Sequence, residues 1–280
     1  MQHKKRALQE QLSREQKAAI AFSGGVDSTF LLKTAYDVLG DNVLAVIVQS
    51  AAFPQREQNE AQQFCVRFGI PYVTCCVEVG EIPHFTENPP ERCYYCKKAM
   101  FQKIMQAAQE HHISFVAEGS NMDDNSDYRP GHRAVSELGI ASPLRKAGLY
   151  KEEIRQLSKE MKLPTWSKPS FACLASRFPY GEEISKEKLR RVERAEELLF
   201  SHGFRQFRVR VHRDVARIEV LPEDFPRLLE EKTRRQVVEK LKSYGFTYVS
   251  LDLQGYRVGS MNETIPGGAC TGPDKGRGEQ

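Results

Sequence analysis

The sequence has no apolar run of membrane-spanning length, which excludes a transmembrane helix. Its opening stretch, Met1-Gln2-His3-Lys4-Lys5-Arg6, lacks the apolar segment of a secretory signal, so a cytoplasmic location is expected. Charge of one sign is equally scarce. The formal net charge is +4 over 280 residues, and bulk electrostatics therefore gives no reason to expect a nucleic-acid partner. Internal repeats are absent. Cysteine is present seven times, and in a reducing compartment these residues are expected to be buried thiols, metal ligands or reactive groups rather than disulfides. The length is ample for one large domain or two ordinary ones, and two are expected.

The most informative stretch is Ala21-Phe22-Ser23-Gly24-Gly25-Val26-Asp27-Ser28-Thr29, a glycine-rich turn between an apolar run and a helical pattern. Lys17 to Phe22 reads as a buried strand. Phe30, Leu31, Leu32, Ala35 and Leu39 carry the spacing of a helix packed on a sheet. Gly24 and Gly25 let the backbone come close to a ligand, so that successive N–H groups and the positive end of the helix point at bound anions. Ser23 and Ser28 add hydroxyls, and Asp27 offers a carboxylate to magnesium. The Gly-Lys-Ser/Thr ending of a Walker-type loop is missing.

Further strands are expected at Val43–Val48, Tyr72–Val77 and Ile113–Glu118, and helices at Gln55–Phe68, Met100–His111 and Lys151–Met161. Strands alternating with helices imply a parallel sheet covered on both faces, with ligands at the carboxyl ends of its strands. Ser50 and Gly119, each just beyond such an end, are placed with the nucleotide site. So is the polar segment from Ser120 to Gly131, where Asp123, Asp124 or Asp127 could meet magnesium or a ribose. From Ser185 the pattern changes to a helix to about Ser201, strands Phe207–Val211 and Val215–Val220, a helix to about Tyr244 and a strand Phe246–Leu253. The division expected is a nucleotide domain over 1–165, a linker over 166–184, a smaller α+β domain over 185–262 and a disordered tail over 263–280.

Cys93 and Cys96 form a Cys-x-x-Cys pair ahead of the Met100 helix, a spacing that suits a metal, an iron–sulfur cluster or a redox dithiol. Cys173 lies in the aperiodic linker and is a third candidate ligand. Neither stretch contains a histidine, so zinc would lack an obvious fourth partner. Cys65, Cys75 and Cys76 read as buried. Alternation in Phe207-Arg208-Val209-Arg210-Val211 puts the two arginines on one face of a strand and the valines toward the core, and paired guanidinium groups fit a phosphate.

The loop resembles the SGGxDS signature of the PP-loop ATP pyrophosphatases. Together with DYRPG at Asp127 to Gly131, SRFPYG at Ser176 to Gly181, RVRVH at Arg208 to His212 and the Leu251-Asp252-Leu253-x-Gly255-x-Arg257-x-Gly259 ending, it resembles the LarE-type sulfur transferases over nearly the whole chain. That resemblance implies a parallel-sheet α/β domain of the adenine nucleotide alpha hydrolase type with a smaller α+β domain. It also implies the use of ATP and magnesium to adenylate a carboxylate of a pyridinium dicarboxylate mononucleotide, followed by replacement of AMP with sulfur, in building the nickel-pincer cofactor of lactate racemase. Ser23, Gly24, Gly25, Asp27, Ser28 and Thr29 would bind the nucleotide. Ser176 and Arg177 would line the transfer site with Glu196 facing it, and Arg208 and Arg210 would hold the substrate phosphate. One form of the family sacrifices a cysteine, and that position falls here on Ala172. The other form carries a three-cysteine, four-iron four-sulfur cluster, which Cys93, Cys96 and Cys173 match, with sulfide or a cysteine-derived donor as its source. A homo-oligomer without nucleic-acid or membrane partners is expected. A tRNA thiolase of the same superfamily and an ATP-binding module without turnover are the alternatives.

Overall fold

A computed structural model describes residues 1–126, 130–169 and 172–257. The DYRPG residues Asp127 to Arg129 and the expected tail, with Cys270, lie outside the described residues. The chain divides into two compact units, Met1–Ala172 and Cys173–Gln280.

The first unit runs α1 (Gln2–Leu12), β1 (Ala18–Ala21), α2 (Val26–Leu39), β2 (Val43–Gln49), α3 (Gln55–Phe68), β3 (Tyr72–Cys76), α4 (Arg92–Glu110), β4 (Val116–Ala117), α5 (Gly131–Glu137), α6 (Pro143–Lys146) and α7 (Lys151–Glu160). Its four strands are parallel in the order β3-β2-β1-β4, and a further parallel bridge joins Ala117 to Ala141. Alternation in the central strands feeds two cores. Ile20, Val43, Ala45 and Ile47 face the layer containing Leu8, Phe30 and Leu31, whereas Ala19, Leu44 and Val46 face Phe101, Ile104 and Ile113. Burial on both faces is why these strands read as unbroken apolar runs. Among the described residues no helix is long and apolar enough to cross a membrane.

Several boundaries differ from those the sequence suggests. The α1 helix has a weak signal, since its buried residues are only Leu8 and Leu12. The β4 strand is two residues long because the Ile113 amide donates to the Ala108 carbonyl (2.9 Å), closing the end of α4 instead of starting a strand. The edge strand β3 leaves Cys76 exposed and Cys75 half-buried, correcting the expectation that both are buried. Cys65 is fully buried, and that burial pushes its thiol up to about 12.

The second unit holds α8 (Lys186–Ser201), β5 (Phe207–His212), β6 (Val215–Val220), α9 (Phe225–Leu229), α10 (Glu231–Ser243) and β7 (Tyr248–Leu251). Its sheet pairs β5 with β6 antiparallel and β6 with β7 parallel. The last strand is shorter than expected because the Phe246 amide caps α10 through the Leu241 carbonyl and Asp252 begins a turn.

Candidate active site

The glycine-rich turn leads from β1 into the first turn of α2. Gly24 has φ +70°, a left-handed conformation that side chains rarely adopt, and a Cβ there would come within 3.2 Å of the Ala61 Cβ. Gly25 is the N-cap residue of α2. The Ser28 hydroxyl ties the turn together: it accepts from the Ser23 amide (3.4 Å), lies 3.1 Å from the Ser23 hydroxyl and donates to the Gly25 carbonyl (3.2 Å). Gly119 follows β4 and abuts the same helix start. A Cβ there would lie 3.0 Å from the Ser28 amide nitrogen and 3.3 Å from the Asp27 carbonyl carbon, so only glycine lets this strand end sit against the loop. Thr29 is fully buried, and its hydroxyl is enclosed. Ser50 is also buried, its hydroxyl accepting from the Ala52 amide (3.4 Å) at the end of β2.

A cavity of about 220 Å³ opens beside the loop, bordered by Ser23, Gly25 and Asp27, by Ile47 and Val48 of β2, by Glu57 of α3, and by Lys151 and Lys168. It sits at the carboxyl ends of parallel strands, where α/β sheets bind ligands. The Asp27 carboxylate accepts from the Lys151 ammonium and from the Asn121 amide (3.2 Å). Lys168 pairs with Glu57 and Glu60 (2.5 and 2.7 Å) and donates to the Gly24 carbonyl (3.2 Å). Lys151, Lys168 and Asn121 carry no motif of their own, and only the fold brings them to the loop. Asp123 and Asp124 brace the turn, accepting from the Lys151 amide (2.6 Å) and the Asn121 amide (2.9 Å).

The Cys-x-x-Cys pair is not in a loop before the helix, since α4 begins eight residues earlier than expected. Cys93 and Cys96 sit in its first turns, three residues apart and so on one side, Cys93 half-buried and Cys96 buried. The chemistry of the pair fits thiolate ligation. Within either unit, the described residues hold no preformed set of three His, Cys, Asp or Glu side chains for a metal ion.

In the second unit Cys173 caps a short 3-10 turn, Leu174–Arg177, and its carbonyl accepts from the Ser176 hydroxyl (2.8 Å), the Ser176 amide (3.0 Å) and Arg177 (3.0 Å). Arg177 is fully buried and grips Glu196 of α8 with two nitrogens (2.8 and 2.9 Å), while the Val209 amide donates to the same carboxylate (3.0 Å). Burial would raise the Glu196 carboxyl, but the charge and hydrogen bonds of Arg177 outweigh it and hold the group below the ordinary carboxylate range. Arg210 binds Glu219 (3.0 and 3.1 Å) and the Ser176 carbonyl (2.9 Å). Arg208 and Arg210 are both buried, so β5 is covered on its arginine face as well as its valine face. Burial and the nearby Arg177 make the charge on Arg208 less favourable than on an ordinary guanidinium.

The family profile described as NAD synthase matches residues 2–107, the stretch that carries the loop. An uncharacterized protein of Synechocystis sp. is 42% identical over 89% of this chain and 93% of its own. The pyridinium-3,5-bisthiocarboxylic acid mononucleotide synthase of Lactiplantibacillus plantarum is 39% identical over 94% of this chain and 95% of its own. The chain belongs to the LarE-type sulfur transferases. As a LarE-type chain it is an ATP-using enzyme of the PP-loop superfamily, and the residues that the profile matches lie in its first unit. A glutamine-hydrolyzing GMP synthase component of Archaeoglobus fulgidus is 24% identical over 54% of the chain and 52% of its own. That match covers too little to carry its activity over to a LarE-type protein.

Proposed function

We propose that this protein adenylates a carboxylate of pyridinium-3,5-dicarboxylate mononucleotide at the expense of ATP and replaces AMP with sulfur, making the thiocarboxylate needed for the nickel-pincer cofactor of lactate racemase. The observation that carries this reading is a phosphate loop at the carboxyl ends of a parallel sheet, in a chain that matches the L. plantarum synthase over 94% of its length. A substrate carboxylate oxygen attacks the α-phosphorus of ATP, the bond to the β-phosphate breaks, and pyrophosphate leaves with the electron pair. A sulfur nucleophile then adds to the acyl carbon and expels AMP, a far better leaving group than oxide. The bisthiocarboxylic product in the relative's name would need two such rounds.

In this reading the loop amides and the start of α2 hold the phosphates, and Asp27 would hold magnesium, with Lys151 fixing its carboxylate. Arg208 and Arg210 take the phosphate of the mononucleotide, and the Arg177–Glu196 pair orders the turn that begins at Cys173. An iron–sulfur cluster on Cys93, Cys96 and Cys173 would supply sulfur through an iron without a protein ligand. Ala172 leaves no thiol at the sacrificial position.

The test is anaerobic reaction with ATP, magnesium, mononucleotide and sulfide. Replacing Cys93, Cys96 or Cys173 with alanine is expected to remove both bound iron and thiocarboxylate formation while pyrophosphate release continues. Conversion of Cys173 to dehydroalanine in step with product, seen by intact mass, would overturn the cluster. Stimulation of pyrophosphate release by tRNA would instead support a thiolase.

Arg208→Ala is expected to weaken mononucleotide binding by about 2–3 kcal/mol, as loss of a charge-assisted hydrogen bond would, with ATP binding little changed. Arg210→Ala should add a stability loss, because it strips a hydrogen bond and an ion-pair contact from the fully buried Glu219. Calorimetric titration of each ligand separates the two effects, and equal losses for both ligands would remove the arginines from this role.

A further inference from the structure

The ending motif around Gly255 and Arg257 lies outside the roles given above, yet it packs against the phosphate-binding arginines. After β7 the chain is pinned to β6: the Asp252 amide donates to the Ile218 carbonyl (2.9 Å) and the Tyr256 amide to the Val220 carbonyl (2.8 Å). Gly255 makes the turn between them with φ +72°, and a Cβ there would come within 2.9 Å of the Val220 oxygen. The Asp252 carboxylate is held by Arg217 (3.2 Å) and Arg257 (3.6 Å). This fixed backbone aims the Tyr256 side chain at Arg208. The guanidinium carbon lies 5.1 Å from the ring centroid, and one guanidinium nitrogen donates to the Tyr256 hydroxyl at 3.4 Å.

Among the described residues of this unit, the buried arginines are Arg177, Arg208 and Arg210. Arg177 and Arg210 each set two nitrogens on a carboxylate. Arg208 donates to the Phe207 carbonyl (2.6 Å) with one nitrogen and to the Tyr256 hydroxyl with another, and the contact with Tyr256 is neutral: an aromatic face and a phenol oxygen orient a guanidinium without adding a counter-charge. Burial and Arg177 work against the charge on Arg208 and outweigh the favourable influence of Glu196, and an arriving anion would relieve them. We infer that Tyr256 is a positioning residue that holds the Arg208 guanidinium in the orientation that receives the phosphate of the mononucleotide. This rests on the assignment of Arg208 to that phosphate.

The experiment compares Tyr256→Leu, Tyr256→Phe, Arg208→Ala and the double variant Arg208→Ala/Tyr256→Leu in the full chain, reading KM for the mononucleotide and for ATP, kcat, and thermal unfolding. Tyr256→Leu is expected to raise KM for the mononucleotide about tenfold, with kcat and KM for ATP unchanged, whereas Tyr256→Phe, which keeps the ring, raises it only about two- to threefold. In the Arg208→Ala background, Tyr256→Leu should add nothing, because its effect passes through the missing guanidinium. A full additive loss in the double variant, or equal changes in both KM values, overturns the inference. So does a parent KM in Tyr256→Leu when Arg208→Ala has raised it. An unchanged KM in Arg208→Ala overturns the phosphate assignment itself, and the inference with it. If the leucine variant does not fold, the phenylalanine variant decides: a parent mononucleotide KM alongside a raised one in Arg208→Ala removes the hydroxyl from any positioning role and overturns the inference.

Discussion

Asp27→Asn is expected to abolish pyrophosphate release, slowing it by on the order of 10³-fold, while the variant unfolds at nearly the parent temperature. The carboxylate is the only charge that the loop sequence Ser23 to Thr29 presents, and it accepts from both Lys151 and Asn121. Asparagine keeps the shape but loses the negative charge, so magnesium would lose its ligand and Lys151 its counter-ion. Stability should change little, since Asp27 and Lys151 are 21% and 29% exposed, and such solvent-reached pairs contribute only about 0–1 kcal/mol. Product analysis for AMP and pyrophosphate beside a thermal melt checks both halves. AMP formation at the parent rate would remove Asp27 from the magnesium site.

Glu196→Ala is expected to destabilise the protein by about 3–5 kcal/mol, because it leaves the fully buried Arg177 without the carboxylate that offsets its desolvation. The effect carries a pH signature. The folded Glu196 carboxyl lies below the ordinary range, so its contribution is complete above the unfolded value of about 4.3 and is lost as pH falls through the depressed folded value. Urea unfolding of the parent and of Glu196→Gln should therefore show a gap at pH 7 that narrows steadily below about pH 4. A gap independent of pH would mean that the carboxylate is not ionised in the folded protein.

The parallel sheet was legible because both of its faces are covered, which writes β1 and β2 as unbroken apolar runs, and because Gly24, Gly25 and Asp27 sit together in sequence. The arginine pair on β5 was legible by alternation. What escaped the sequence was whatever depends on tertiary closure. Lys151 reads as an ordinary helix start, and Lys168 as one polar residue in an aperiodic stretch. The α4 helix begins at Arg92 because Tyr94 and Cys96 are buried there, yet Cys-Tyr-Tyr-Cys has no helical period to announce it. The arginines were expected on a half-open strand, and nothing in RVRVH announces that Glu196 and Glu219, from α8 and β6, would enclose that face.

The seat of Gly119 against the start of α2 has a thermodynamic consequence for nucleotide capture. Its missing side chain lets a strand end brace the peptide group between Asp27 and Ser28, so this donor is immobilised by folding, before any ligand arrives. With phosphates on this loop, as proposed above, the entropy loss of ordering the cradle is absent from the binding equilibrium, and the free energy of an amide-to-phosphate contact there would appear undiminished in affinity. Gly119→Ala would put that ordering cost back: the loop would have to give way by several tenths of an ångström, and ATP would have to re-form on every encounter an arrangement that the parent keeps permanently assembled.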